Sequence, residues 1–198
     1  GNSTSVTYNG ANQTVSGFTV SGLQGSDTVA SLSSVVASGA TGKNAGSYTN
    51  TVTAGTETNY TVSTVNGGLT IAKANATVTA NSGTLTYNGA NQTVSGFTAS
   101  GLVGGETAAV LSGVSTSRTE KNAGTYATTA SGTDGNYNLS FVDGSMRINK
   151  AALTATGNST SVTYNGANQT VSGFTVSGLQ GSDTVASLSS VVASGATG

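Results

Sequence analysis

The sequence contains no cysteine, histidine, proline or tryptophan, and only 7% of its 198 residues are charged. Each absence excludes something. Without Cys or His there are no disulfides, and the usual zinc, copper, haem and iron–sulfur ligand sets cannot be assembled. Ser-His-Asp and Cys-His nucleophile systems fail for the same reason. Six Lys plus Arg against seven Asp plus Glu cannot neutralise a phosphate backbone, so no nucleic-acid partner is expected. No apolar run approaches the roughly 20 residues that cross a bilayer as a helix, so membrane insertion is not expected either. Helix formers such as Glu, Lys, Gln and Met are scarce.

What is abundant is Thr (35), Ser (29) and Gly (29), with 35% hydrophobic residues and a net charge of −1. Disordered chains pair low hydrophobicity with high net charge, which this chain does not. Thr, Val and Tyr suit pleated, half-buried surfaces. The composition predicts an all-β protein.

Repeats decide the organisation. Residues 157–198 are identical to residues 1–42, a block of 42 shifted by 156. Between them lies a diverged copy: the run Tyr8 to Thr19 recurs at Tyr87 to Thr98 and at Tyr164 to Thr175. A period near 77–79 is too long for a solenoid coil and suits a small domain near the lower limit of independent folding. Ile71-Ala72-Lys73-Ala74 and Ile148-Asn149-Lys150-Ala151 mark the ends of the modules. The reading is therefore 1–72, a β-module lacking its first strand; 73–149, a complete β-module; and 150–198, a truncated copy of the first. The chain reads as a window on a longer array.

Strands follow the alternation rule. Leu153-Thr154-Ala155-Thr156 and Ser161-Val162-Thr163-Tyr164 alternate, Val15 through Leu23 places Phe18 and Val20 on one face, and Tyr48, Val52 and Ala54 share a face. Asn9-Gly10, Asn88-Gly89 and Asn165-Gly166 mark turns. Asn66-Gly67 and Asp143-Gly144 predict closing hairpins, Tyr60–Val65 with Leu69–Lys73 and Tyr137–Val142 with Met146–Lys150. Ser26-Asp27 can cap a short helix, since Val29, Leu32 and Val36 have helical spacing, but Ser31 to Gly39 reads equally as a strand. Small β-sandwich or β-grasp-like modules in an extended rod, with one short helical turn per module as an option, are the fold expectation. From Leu69 to Thr79 and from Met146 to Thr156 there is no glycine, although Gly recurs about every seven residues elsewhere. A flexible tether would be Gly/Ser-rich, so the modules should meet through stiff seams with Lys73 and Lys150 solvated.

All seven Tyr fall in three aligned columns, Tyr8/Tyr87/Tyr164, Tyr48/Tyr126 and Tyr60/Tyr137. Phe18/Phe97/Phe174 form a fourth, and only Phe141 lacks an aromatic equivalent. These are read as core anchors of a hydroxyl-rich module, not as stacking platforms for ligands. Asp134-Gly135-Asn136 resembles a calcium-loop fragment but lacks alternating carboxylates and a distal Glu. Asp27, Glu106 and Asp183 occupy one column and stand alone, without the second acid that glycoside hydrolysis needs. Asn-X-Ser/Thr occurs eight times, and chance alone yields several such triplets in a chain a third Ser and Thr. No catalytic, cofactor-binding or metal-binding residue is assigned, no ligand-binding residue can be named, and no enzyme activity or cofactor is expected.

The motifs Tyr-Asn-Gly, Val-Ser-Gly-Phe, Gly-Leu-x-Gly-x-Asp/Glu-Thr, Lys-Asn-Ala-Gly-x-Tyr, Asn-Tyr and Ile-x-Lys-Ala together resemble the MBG/YDG-type modules. These occur in tandem in very large secreted bacterial proteins, including filamentous-haemagglutinin-like and biofilm-matrix adhesins. The resemblance covers the whole chain, with Asn in place of the usual Asp in all three Tyr-Asn-Gly copies. It implies an extracellular or cell-surface location and a spacer, adhesive or matrix role, with neighbouring modules and other copies as partners. Two other functions stay open. One is binding of carbohydrate or matrix through avidity, although no polysaccharide site is visible. The other is a self-assembling filament in which the incomplete first module accepts a strand from another chain.

Overall fold

The computed structural model describes residues Gly1–Gly198. The first repeat forms β1 (Thr4–Thr7), β2 (Gln13–Val15), β3 (Val35–Ala37), β4 (Ala40–Gly42), β5 (Gly46–Asn50), β6 (Val52–Ala54) and β7 (Gly67–Ala72). The second forms β8 (Ala74–Ala80), β9 (Gly83–Thr86), β10 (Gln92–Ser95), β11 (Phe97–Ser100), β12 (Val114–Glu120), β13 (Gly124–Thr128), β14 (Ala130–Gly132), β15 (Tyr137–Val142) and β16 (Gly144–Asn149). The third adds β17 (Thr154–Gly157), β18 (Thr170–Val171), β19 (Phe174–Ser177) and β20 (Ala196–Thr197). No sheet exceeds three strands and none closes into a barrel. The chain is all-β apart from one short helical turn per repeat, at Val29–Ser31, Ala108–Val110 and Val185–Ser187.

Both readings of the segment after Ser26 are realised in succession. The Thr28 N–H donates to Ser31 Oγ, one turn follows, and the chain then enters β3. Leu32 and Val35 are buried, whereas Val29 and Val36 face solvent. Strand alternation, not helical spacing, therefore decides which valine is inside.

The predicted closing hairpins are not formed. Tyr60–Val65 makes no ladder, and β7 pairs instead with β1 in parallel and β5 in antiparallel fashion. In the second repeat β15 runs parallel to β8, with Tyr137 opposite Ala74, and β16 runs parallel to β9, with Met146 opposite Gly83. Both pairings carry an offset of 63 residues. A two-residue Asx-Gly hairpin needs positive φ in the turn, and neither Gly67 nor Gly144 has it. Asn66 serves otherwise, its Oδ1 accepting the Val52 N–H at 2.9 Å. The other Asx-Gly pairs do turn: Gly10, Gly89 and Gly166 have φ of 79°, 76° and 76°, and each preceding Asn accepts the N–H two residues on. The predicted shared face of Tyr48, Val52 and Ala54 also splits, because β5 and β6 join different sheets on either side of buried Asn50.

The chain packs into two compact units. One comprises Gly1–Ala80, Phe97–Thr116 and Ala130–Val142; the other comprises Asn81–Gly96, Ser117–Thr129 and Asp143–Gly198. The first unit is built on Leu69, Ile71, Ala74, Ala76, Val78 and Leu111, with a smaller cluster of Leu32, Val35 and Val52. In the second unit, Met146 and Ile148 of β16 are buried between β13 and β9. The passage from first to second repeat lies inside the first unit, where Lys73 alone separates β7 from β8. The first glycine-free segment is thus ladder on both sides of Lys73, whereas in the second the residues Lys150 to Leu153 join no strand.

Candidate interaction site at the joint between repeats

Tyr8 follows β1 and is held by its own N–H, which donates to the Ala72 carbonyl. Its ring is 3% exposed, and its hydroxyl donates to Glu106 Oε1 of the next repeat at 2.5 Å. The other carboxylate oxygen, Oε2, accepts the Tyr137 hydroxyl at 2.6 Å, and that hydroxyl in turn accepts the Val103 N–H. The two rings meet edge to face, 5.4 Å apart at 83°. Glu106 is placed by the tight turn in which its N–H bonds the Val103 carbonyl. One carboxylate thus fastens two tyrosines from two repeats.

The electrostatics follow from that geometry. Hydrogen bonds from Tyr137 and Tyr8, helped by the Lys43 charge, hold the Glu106 carboxyl below its ordinary value despite partial burial. The same bond, with burial and the carboxylate's charge, pushes Tyr8 up to about 12. Burial first, then the bond to Glu106, raises Tyr137.

A second set of contacts flanks the clasp. Gly10 and Gly104 approach so closely that a Cβ on Gly104 would lie 2.9 Å from the Asn9 carbonyl oxygen. Asn136 Oδ1 accepts the Ala45 N–H at 2.9 Å, and its amide group reaches Asn44. Asp134-Gly135-Asn136 forms a turn: Asp134 Oδ1 accepts the N–H groups of Asn136 and Tyr137, and its carbonyl takes the Lys73 ammonium at 2.6 Å. Tyr-Asn-Gly and Lys-Asn-Ala-Gly of one repeat therefore meet Gly-Leu-x-Gly-x-Glu and Asn-Tyr of the next.

The pattern recurs. Within the second unit the Tyr87 hydroxyl donates to Asp183 at 2.9 Å, and a Cβ on Gly89 would lie 2.8 Å from both the Gln180 oxygen and Gly181 Cα. A cavity of about 250 Å³ sits beside them, lined by Tyr87, Ala123, Leu179, Asp183 and Leu188. In the first repeat Asp27 binds only Tyr60, at 2.5 Å, and Gly25 faces open space. Tyr164 meets no following repeat and is 89% exposed.

The aromatic columns are core anchors in part: Phe18, Tyr48, Tyr60 and Phe97 pack against the buried clusters, but the columns are not uniform. Tyr8 and Tyr137 are buried, but at the joint. Tyr48 and Tyr126 are half-buried and donate to the Asn44 and Asn122 carbonyls. Phe18, Phe97 and Phe174 are half-buried, and Tyr164 lies outside. Sequence reasoning dismissed the lone acids Asp27, Glu106 and Asp183 because it sought a second acid. The legible signal was a tyrosine and an acid recurring together in every repeat.

The family model for the MBG domain (YGX type) matches residues 2–70 and again residues 76–147. No curated protein and no solved structure matches the chain. The two matched stretches, more than half of the sequence, follow the first and second repeats that the joint connects. The chain belongs to the MBG domain family, YGX type, and carries that domain in tandem.

Proposed function

We propose that the chain is a spacer segment of a large extracellular bacterial adhesin or biofilm-matrix protein, in which MBG repeats in series hold a functional domain away from the cell surface. The domain family is of a structural, repeating kind and not an enzyme family. The observation that carries the proposal is the joint: the residues that recur from repeat to repeat spend their chemistry on the neighbouring repeat, not on a pocket for substrate. A clasp made of a carboxylate, two phenols and facing glycines resists bending better than a Gly/Ser tether. The net charge of −1 and hydroxyl-rich surface limit nonspecific attraction and dependence on salt. Small-angle scattering from chains of two, three and four repeats tests this. The maximum dimension should rise linearly with repeat number, and a compact particle of nearly constant dimension would end the reading.

A further inference from the structure

The eight Asn-X-Ser/Thr triplets stand in different surroundings, and two separate observations select the same three of them. The first is recurrence. Asn-Gln-Thr occupies one place in every repeat, at Asn12, Asn91 and Asn168, the diverged second repeat included. No other triplet does so. Asn2 and Asn158 correspond to Asn81-Ser82-Gly83, and Asn59 to Asn136-Tyr137-Asn138, both without the hydroxyl. Asn75 corresponds to Ala152, and Asn138 to Thr61.

The second observation is geometric. Each Asn-Gln-Thr leads from an Asn-Gly turn into β2, β10 or β18, a strand with a single ladder partner. The Gln is half-buried, and its Nε2 donates back to the carbonyl of Thr7, Thr86 or Thr163 at 3.1, 3.1 and 3.0 Å. Strand alternation then turns the flanking Asn and Thr outward together, and all of them are exposed. The three Asn amides make no hydrogen bond within the chain. The Thr93 hydroxyl meets Thr119 across the ladder at 2.7 Å, which leaves it a free lone pair. Elsewhere the amide is committed or the backbone is locked. Asn2 and Asn158 donate to the Ser16 and Ser172 carbonyls, as Asn81 does to that of Ser95. Asn138 donates to Asn75 Oδ1, and Asn75 lies on β8, the central strand of its sheet, with Thr77 bonded to Ser140.

We propose that Asn12, Asn91 and Asn168 are glycosylation sites, one per repeat, each taking a hexose on its amide nitrogen from a nucleotide-activated sugar through a glycosyltransferase. The amide nitrogen forms a bond to C1 of the sugar and gives up one proton. The bond from C1 to the diphosphate oxygen breaks, and the nucleoside diphosphate leaves with the electron pair, so nothing is oxidised or reduced. Acceptance needs the amide and the hydroxyl two residues on to be reachable together. Asn-Gln-Thr offers both on one side of an edge strand. Asn59 is also exposed and unbonded, a fourth open acceptor that does not recur. A neutral sugar at each turn adds bulk and solubility without changing the net charge of −1.

The folded 198-residue chain, incubated with an asparagine glycosyltransferase and uridine diphosphate glucose, tests this by intact mass and peptide mapping. Hexose should appear at Asn12, Asn91 and Asn168, and at the open Asn59, but not at Asn2, Asn75, Asn138 or Asn158. Peptides from a digest of the same chain should accept hexose at all of these positions, which assigns the refusals to the fold and not to the sequence preference of the enzyme. Asn91→Gln, an exposed change that breaks no bond, should remove one hexose from the intact mass. A folded chain without hexose at Asn12, Asn91 and Asn168, or with equal occupancy at the four committed triplets, would overturn the proposal.

Discussion

One column of tyrosines stands in three environments, which makes a graded test of the clasp. Tyr8→Phe removes one hydroxyl and nothing else. That hydroxyl donates at 2.5 Å to a carboxylate, within a ring that is 3% exposed. Hydrogen bonds to charged groups contribute about 1.5–3 kcal/mol. Glu106 is half-buried and keeps Tyr137, so the lower end applies, about 1–2 kcal/mol. Native-state hydrogen exchange at the Tyr8 and Ala74 N–H groups, which bond the Ala72 and Asn136 carbonyls, reads this directly. Exchange there should quicken roughly 5- to 30-fold. Tyr87→Phe removes a longer bond, 2.9 Å to Asp183, from a half-buried ring and should have a smaller effect on the second unit. Tyr164→Phe removes a hydroxyl without a partner from an exposed ring and should change nothing measurable. In a double-mutant cycle, Tyr8→Phe should lose most of its effect in a Glu106→Gln background. Equal effects at positions 8 and 164 would refute the clasp, since the loss would then belong to the module and not to the joint.

The remaining predictions use the same logic of matched positions. Glu106 sits below its ordinary value, so its contribution is present above about pH 4.5 and fades as pH falls through the lower folded value; acid unfolding of the first unit followed by circular dichroism should be less steep in Glu106→Gln. Tyr8 is raised to about 12, so its contribution is complete below pH 10 and is lost as pH rises through 12; ultraviolet titration should show one tyrosine ionising only near there, and Tyr8→Phe should abolish that step. Gly89→Ala and Gly166→Ala share a φ of 76° and hence the same backbone penalty of about 1–2 kcal/mol, but only Gly89 faces Gly181 and Gln180; urea unfolding should show Gly89→Ala to be the more damaging, and equal losses would argue against close packing there. Asn50→Ala should destabilise the first unit by about 2–4 kcal/mol in the same assay, because the buried amide binds the Gly39 N–H and the Asn2 and Gly17 carbonyls. Its counterpart Thr128 buries a hydroxyl without a partner, so Thr128→Val should stabilise by about 1 kcal/mol.

The local signals in the sequence were legible and the nonlocal ones were not. Asn-Gly correctly marked turns at Gly10, Gly89 and Gly166, and the strand expected from Leu69 forms as β7, with Leu69 and Ile71 buried. The same dipeptide misled at Asn66-Gly67, because whether a chain reverses there depends on what its strands can pair with. Parallel pairing at an offset of 63 residues leaves no trace in a short window. The joint was missed for a related reason. Tyr8 and Glu106 are 98 residues apart and look unremarkable one at a time.

The two identical 42-residue blocks show how far pairing outranks local preference. Thr4–Thr7 is a strand because β7 lies beside it, whereas the same residues at 160–163 form none, the third repeat having no counterpart of Gly67–Ala72. Conversely, Phe174–Ser177 is a strand beside β17, and the same residues at 18–21 are unpaired. Each identical block is thus ordered on the side where a neighbouring segment is present. Stability in such a chain depends first on the completeness of each repeat, to which the clasps add nearest-neighbour coupling as in one-dimensional arrays. Three repeats contain two clasps, Tyr8–Glu106 and Tyr87–Asp183, with Asp27 and Tyr164 as the unmatched halves at either end. A completed third repeat would supply a partner for residues 160–163, and a fourth repeat beyond it an acid for Tyr164. Hydrogen exchange at residues 160–164 should therefore slow in two steps, first on completion of the third repeat and again on addition of the fourth.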